Sequence, residues 1–334
     1  MPVRLLKILL AKDAWPHALL FSGIDGVGKT LTARVFAMAV NCERRRRPPS
    51  SSHGTTVGNA LDSTNPCGTC RSCRRIAGGH HPDIYTIEPD GAYIRIAQVR
   101  ELLNRFSLKP HGSGYRVAII RDAHLMNLEA ANALLKLLEE PPEKSLLLLI
   151  ADRISDLLPT IVSRCQSIRF RPLSPSIVAE MLAVLEGADP GQAEGLAAIA
   201  GGSISKALAM RSAGWVGRRQ WLIDRIDHIG EMPVGALLAF SEMLSKDRDH
   251  LAAAIDVIAG WYRDLAVVMD APETVDNRDM IHRLSLSASR LGPERTESAI
   301  QILLQTARSL AGNINFRLAV DVMVMRLAGL YGAV

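Results

Sequence analysis

Residues 23–30 read Gly23-Ile24-Asp25-Gly26-Val27-Gly28-Lys29-Thr30, a match to the phosphate-loop pattern G-x-x-x-x-G-K-[ST]. The short apolar run Ala18–Ser22 precedes it and reads as a strand, and Leu31–Val40 follows with a helical pattern. The stretch therefore sits at a strand-to-helix turn, the context the motif requires. Glycines let the backbone close on phosphates, and successive N–H groups and the helix N-terminus face the negative charge. Lys29 can reach the terminal phosphates, and the Thr30 hydroxyl can ligate magnesium. Gly23, Gly26, Gly28, Lys29 and Thr30 are the candidate nucleotide-binding residues, with ATP or ADP and Mg²⁺ as the ligand. A loop that keeps this shape without turning nucleotide over is the narrower reading.

Outward from the loop, short apolar runs alternate with helical patterns up to about residue 172: Ala18–Ser22, Ile84–Ile87, Val117–Ile120, Leu146–Ala151 and Ser167–Phe170. Several are apolar without alternation, as parallel strands covered on both faces are. This predicts an α/β domain over residues 1–172. Beyond Arg171-Pro172-Leu173-Ser174-Pro175 no strand is apparent, while Pro233–Leu244, His250–Met269 and Pro293–Leu310 carry apolar residues at helical spacing. The C-terminal half is expected to be all helical, with a break near Ser212–Gly217 dividing a small helical domain, 173–212, from a larger bundle, 213–334.

The chain of 334 residues is long enough for two or three domains. Hydrophobic residues make up 48% and charged residues 22%, which excludes disorder or a fibrous repeat as a description of the whole. Aromatics are only 4%, a poor stock for stacking on single-stranded bases. The net charge is +5, but Arg44–Arg47 supply four of those charges, so the balance elsewhere is +1 and carries little evidence of direct DNA binding. Residues 43–65 hold that arginine run, prolines and three consecutive serines without an apolar face; they read as a mobile insertion with solvated arginines. The longest apolar stretch, Leu146–Ala151, is far shorter than the roughly 20 residues a bilayer span needs. The N-terminus does not read as a signal peptide, and a cytoplasmic location is the expectation.

A hydrolysing phosphate-loop ATPase needs an acidic residue at the end of a neighbouring strand to hold Mg²⁺. Here Val117-Ala118-Ile119-Ile120 is followed by Arg121-Asp122-Ala123-His124. An arginine stands where the acid belongs, and Asp122 comes one residue late. Charge and reach are both wrong for catalysis, so turnover is not expected, and nucleotide is expected to bind weakly or not at all.

Cys67-Gly68-Thr69-Cys70-Arg71-Ser72-Cys73 is C-x₂-C-x₂-C and wants a fourth ligand for tetrahedral zinc. Cys42 is the candidate, reached across the insertion, with His80 or His81 as competitors. Four protein ligands leave no open position, so the implied Zn²⁺ is structural and the module spans residues 42–73. Cys165 reads as a small buried residue. Leu134, Leu135, Leu137 and Leu138 fall on the apolar face of a helix and read as core.

Ala131-Asn132-Ala133-Leu134-Leu135-Lys136-Leu137-Leu138-Glu139-Glu140-Pro141-Pro142 and Ser163-Arg164-Cys165 together resemble the delta-prime family of bacterial DNA polymerase III clamp-loader subunits. Gly79-His80-His81-Pro82-Asp83 and Asn313-Ile314-Asn315-Phe316-Arg317-Leu318 extend the similarity over nearly the whole chain. The resemblance implies an AAA+ domain, a helical lid and a helical collar that joins five subunits. It also implies gamma/tau motor subunits and the delta subunit as partners, with a sliding clamp and primed DNA met through the complex. Relative to the gamma/tau motors, Arg121-Asp122, Ala151 and Ser205 stand where the magnesium acids, a γ-phosphate-sensing threonine and a lid arginine belong. The resemblance thus implies a non-hydrolysing, replisome-associated subunit that offers Arg164 as an arginine finger to its neighbour's ATP. A gamma/tau-like motor is the alternative, and an ordinary surface ion pair is the plainer reading of Arg164.

Overall fold

The five apolar runs form one sheet in a computed structural model that describes residues 2–46, 64–108, 114–246, 248–310 and 315–332. The strands are β1 (Ala18–Ser22), β2 (Ile84–Ile87), β3 (Arg116–Ile120), β4 (Ser145–Ala151) and β5 (Gln166–Arg169). All pair in parallel, in the order β2-β3-β4-β1-β5. The three inner strands are buried at every position, which is why they read as unbroken apolar runs, whereas both edge strands expose residues.

The helices around this sheet are α1 (Pro2–Ala11), α2 (Lys29–Val40), α3 (Glu43–Arg46), α4 (Arg71–Ala77), α5 (Ile96–Ser107), α6 (Leu128–Glu139) and α7 (Pro159–Val162). Alternate strand residues face opposite sides, so the sheet is covered twice. Leu20, Ile120, Leu147 and Leu149 pack with Leu102 and Phe106 of α5 and with Leu134, Leu137 and Leu138 of α6. Leu135 is only partly buried at the margin of that cluster. Leu19, Phe21, Ile119 and Leu148 pack with Phe36 of α2 and with Leu6 and Leu10 of α1.

The insertion reading requires correction at its N-terminal end: Glu43–Arg46 is a helical turn, and Arg45 is not a solvated arginine. Its guanidinium donates to the Leu10 carbonyl at 2.7 Å and to Asp13 at 2.8 Å, and it lies 5.5 Å from the Trp15 ring centroid. The cation there satisfies a carbonyl at the C-terminal end of α1, where positive charge is favoured. Residues 47–63 lie outside the described residues.

The chain divides into two compact units, Met1–Pro172 and Leu173–Val334. The described elements of the second unit are all helical: α8 (Pro175–Glu186), α9 (Pro190–Ile199), α10 (Ile204–Ser212), α11 (Trp215–Asp227), α12 (Val234–Leu244), α13 (Arg248–Val267), α14 (Ile281–Leu291), α15 (Pro293–Leu310) and α16 (Phe316–Gly329), with short 3₁₀ turns between some of them. The chain breaks between α10 and α11 at Gly214, whose φ of 69° is left-handed. Buried side chains on both sides of that break nevertheless belong to one cluster, from Val178 and Leu182 through Trp215 and Trp261 to Leu327. A buried carboxylate pins the turn after α13. Asp264 is fully buried and accepts from the Asp276 and Asn277 backbone N–H groups at 3.1 and 2.8 Å, and from the Asn277 amide at 2.6 Å. Asn313 and Ile314 lie outside the described residues, while Asn315 caps α16 by accepting from Arg317 N–H at 3.1 Å. Among the described residues, no helix is long and apolar enough to cross a membrane.

Candidate functional site

The phosphate loop joins β1 to α2, and α2 begins at Lys29 itself. Gly28 has φ 89°, a left-handed conformation that costs a glycine little. Gly23 has φ 145°, and a Cβ there would run into the Phe170 carbonyl oxygen just beyond β5. Lys29 is only 5% exposed, and its ammonium turns back on its own chain. It donates to the carbonyl oxygens of Gly23 and Ile24, the latter at 2.9 Å, and pairs with Asp152 Oδ1 at 2.9 Å. Gly26 and Thr30 are partly buried in the same turn.

Asp152 is a residue that sequence reasoning missed. The resemblance pointed to Ala151, but Ala151 is the last residue of β4, fully buried and in register with Ser22. The next side chain is the one that meets the loop lysine. The signal was an acid directly after an apolar run, and only the strand order, which sets β4 beside β1, gives it meaning.

At the end of β3, Arg121 turns to Glu88, with Nη1 2.6 Å from Oε1. Asp122 takes a left-handed conformation with φ 49° ahead of the 3₁₀ turn Ala123–Leu125. The residue directly after β3 is thus a cation already paired with Glu88. Ser205 is exposed on α10 in the second unit.

The cysteine module brings together Cys42, Cys67, Cys70 and Cys73, whose sulfur atoms all lie within 4.8 Å of one another. Cys42 directly follows Asn41, which ends α2, and Cys70 caps α4. Backbone N–H groups point at the sulfurs: Cys70 N–H to Cys67 at 3.3 Å, Cys73 N–H to Cys70 at 3.4 Å and Cys67 N–H to Cys42 at 3.5 Å. The Cys70 N–H, followed by the Thr69 hydroxyl, brings the Cys67 thiol down to about 6, whereas burial pushes Cys73 well up. Four sulfur atoms gathered within 4.8 Å of one another, with N–H donors on three of them that favour thiolate, form a donor set that fits a tetrahedral metal ion. His80 and His81 are not in this group. His81 accepts from Asp83 N–H at Nδ1 and meets the Ser72 hydroxyl at Nε2, 2.9 Å away, so both ring nitrogens are occupied elsewhere.

Arg164 lies between α7 and β5. Its Nη1 donates to the Thr160 carbonyl at 3.1 Å, and its Nη2 stands 2.7 Å from Glu139 Oε1 at the end of α6. The side chain is 37% exposed. Cys165 beside it is partly buried, and burial lifts its thiol to about 11.

The family model described as "DNA polymerase III, delta subunit" matches residues 2–174, just over half of the chain. The DNA polymerase III subunit delta' of Bacillus subtilis is 28% identical over 97% of this chain and 95% of its own length. That of Pseudomonas aeruginosa is 34% identical over 66% of this chain and 63% of its own. The subunit tau of Bacillus subtilis is 33% identical over 80% of this chain, which spans about half (48%) of that longer protein. With a parallel sheet, a phosphate loop after β1 and a matching family model over the entire first unit, this chain belongs to the bacterial DNA polymerase III delta-prime family of clamp-loader subunits.

Proposed function

We propose that the chain is a non-hydrolysing member of the clamp loader that assembles with gamma/tau motor subunits and the delta subunit in a five-membered ring and presents Arg164 to the ATP of its neighbour. In this reading residues 173–212 act as lid, 213–334 as collar, and the ring loads a sliding clamp on primed DNA in the cytoplasm. The observation that carries it is Arg121: the residue after β3 is an arginine paired with Glu88, where a motor needs a magnesium-holding carboxylate. The Cys42–Cys67–Cys70–Cys73 group holds a structural zinc that braces α2 against α4.

Arg164 suits the task assigned to it. A guanidinium keeps its charge and offers a planar fork of donors, which matches phosphate oxygens that gain charge as the terminal phosphoryl bond breaks. It lies between α7 and β5 and is partly exposed, so its guanidinium is accessible to a neighbouring subunit.

The intact Gly28-Lys29-Thr30 favours a second reading, a gamma/tau-like motor with an atypical acidic site. ATP hydrolysis by the purified chain, with and without clamp and primed DNA, separates the two. Co-elution with the motor and delta subunits as a five-membered ring is the direct test of the first, and failure to enter that ring rejects it.

A further inference from the structure

The phosphate loop is complete in sequence, yet in the fold its lysine is spent. An ammonium has three N–H donors, and Lys29 has three acceptors: the carbonyls of Gly23 and Ile24 and the carboxylate of Asp152. The residue is buried to 5% exposure, whereas the Asp152 side chain is 42% exposed, so the carboxylate closes over the lysine from the solvent side. The Asp152 backbone is tied to the same loop, because its carbonyl accepts the Gly23 N–H at 3.2 Å. Backbone and side chain of one residue thus grip the first glycine and the lysine of the same loop.

We infer that Asp152 decides whether this phosphate loop accepts nucleotide: its carboxylate occupies the lysine that phosphate oxygens need and repels the phosphate chain. Like charges set against each other across a binding site cost enough to suppress the wrong partner. The missing acid after β3 removes turnover; Asp152 acts earlier, on binding. The inference rests on reading the loop as a phosphate site, and it makes no use of ring assembly. Co-elution therefore tests the function proposed above, and nucleotide titration tests this one.

The experiment titrates the full chain with Mg²⁺-ADP and Mg²⁺-ATPγS by calorimetry, comparing wild type, Asp152→Asn, Asp152→Ser, Lys29→Ala and the Asp152→Asn/Lys29→Ala pair. Two neutral replacements are used so that misfolding of one, read by circular dichroism, leaves the other informative. Removal of the like charge is expected to tighten binding by at least about tenfold in both neutral variants, and the added Lys29→Ala change is expected to abolish that gain. Wild-type affinity equal to that of the folded neutral variants overturns the inference, whether all bind or none does. So does a gain that survives loss of Lys29.

Discussion

Arg164 and Glu139 form an ion pair, 2.7 Å between Nη2 and Oε1, that ties the loop before β5 to the last residue of α6. Both side chains are partly exposed, at 37% and 49%. Such pairs contribute only about 0–1 kcal/mol, so the pair orients the guanidinium far more than it stabilises the fold. The ion pair of the plainer sequence reading is present, and the guanidinium stays accessible.

Arg164→Ala is therefore expected to leave thermal stability within about 1 kcal/mol of wild type and to leave zinc content and ring assembly unchanged. Hydrolysis at the adjacent ATP site should slow by about 10³ to 10⁵, while total ATPase of the ring loses only that site's share. Arg164→Lys should recover little, because the planar fork is lost. Single-turnover hydrolysis in reconstituted loaders is the measurement, and a wild-type rate for Arg164→Ala leaves only the ion pair.

Metal analysis should find one zinc per chain. Cys70→Ser is expected to lose the metal and to destabilise the first unit, since structural metal binding is coupled to folding. His80→Ala and His81→Ala should keep it, because both His81 nitrogens are engaged outside the sulfur group. Retention of a full equivalent in Cys70→Ser removes that residue from the ligand set.

Lys29→Ala in an otherwise intact ring should leave most of the ATPase activity in place. The carbonyls of Gly23 and Ile24 and the carboxylate of Asp152 lose their shared donor, which predicts a modest loss of about 1–3 kcal/mol in the stability of the first unit. A fall of total ATPase to background marks this subunit as a motor.

Cys165 should resist alkylation in the folded protein at pH 8. Its thiol is lifted to about 11 by burial, so the reactive thiolate is scarce until the pH rises toward that value, while the unfolded chain ionises near 8.5. Mass-resolved iodoacetamide labelling across pH 7–10, with and without denaturant, reads the difference; rapid native labelling at pH 8 contradicts it.

Asp264→Ala tests the helical unit. The change strips the Asp276 and Asn277 N–H groups and the Asn277 amide of their buried acceptor, while the half-exposed Arg263 keeps Asp276 as a partner, so a loss of about 3 kcal/mol is expected from the unsatisfied donors. Chemical denaturation gives the value, and a shift below about 0.5 kcal/mol is what a surface substitution would produce.

The sequence by itself determined the strands, the loop and the helical character of the second half. Unbroken apolar runs such as Leu146–Ala151 can only be buried on both faces, and Gly23–Thr30 has one backbone solution at a strand-to-helix turn. It also determined three of the four ligands of the metal group, the C-x₂-C-x₂-C cysteines, because that spacing sets their sulfurs close together. Tertiary structure alone decided the rest. Cys42, the candidate the sequence offered, is chosen over His80 and His81 because the end of α2 lies against α4; Arg45 folds back on Leu10 and Asp13; and Asp152 rather than Ala151 meets Lys29 because β4 pairs with β1. Each of these depends on which segments become neighbours, a long-range property that no local pattern encodes, and at the end of a strand a shift of one residue is enough to exchange a buried methyl for a charge against the lysine.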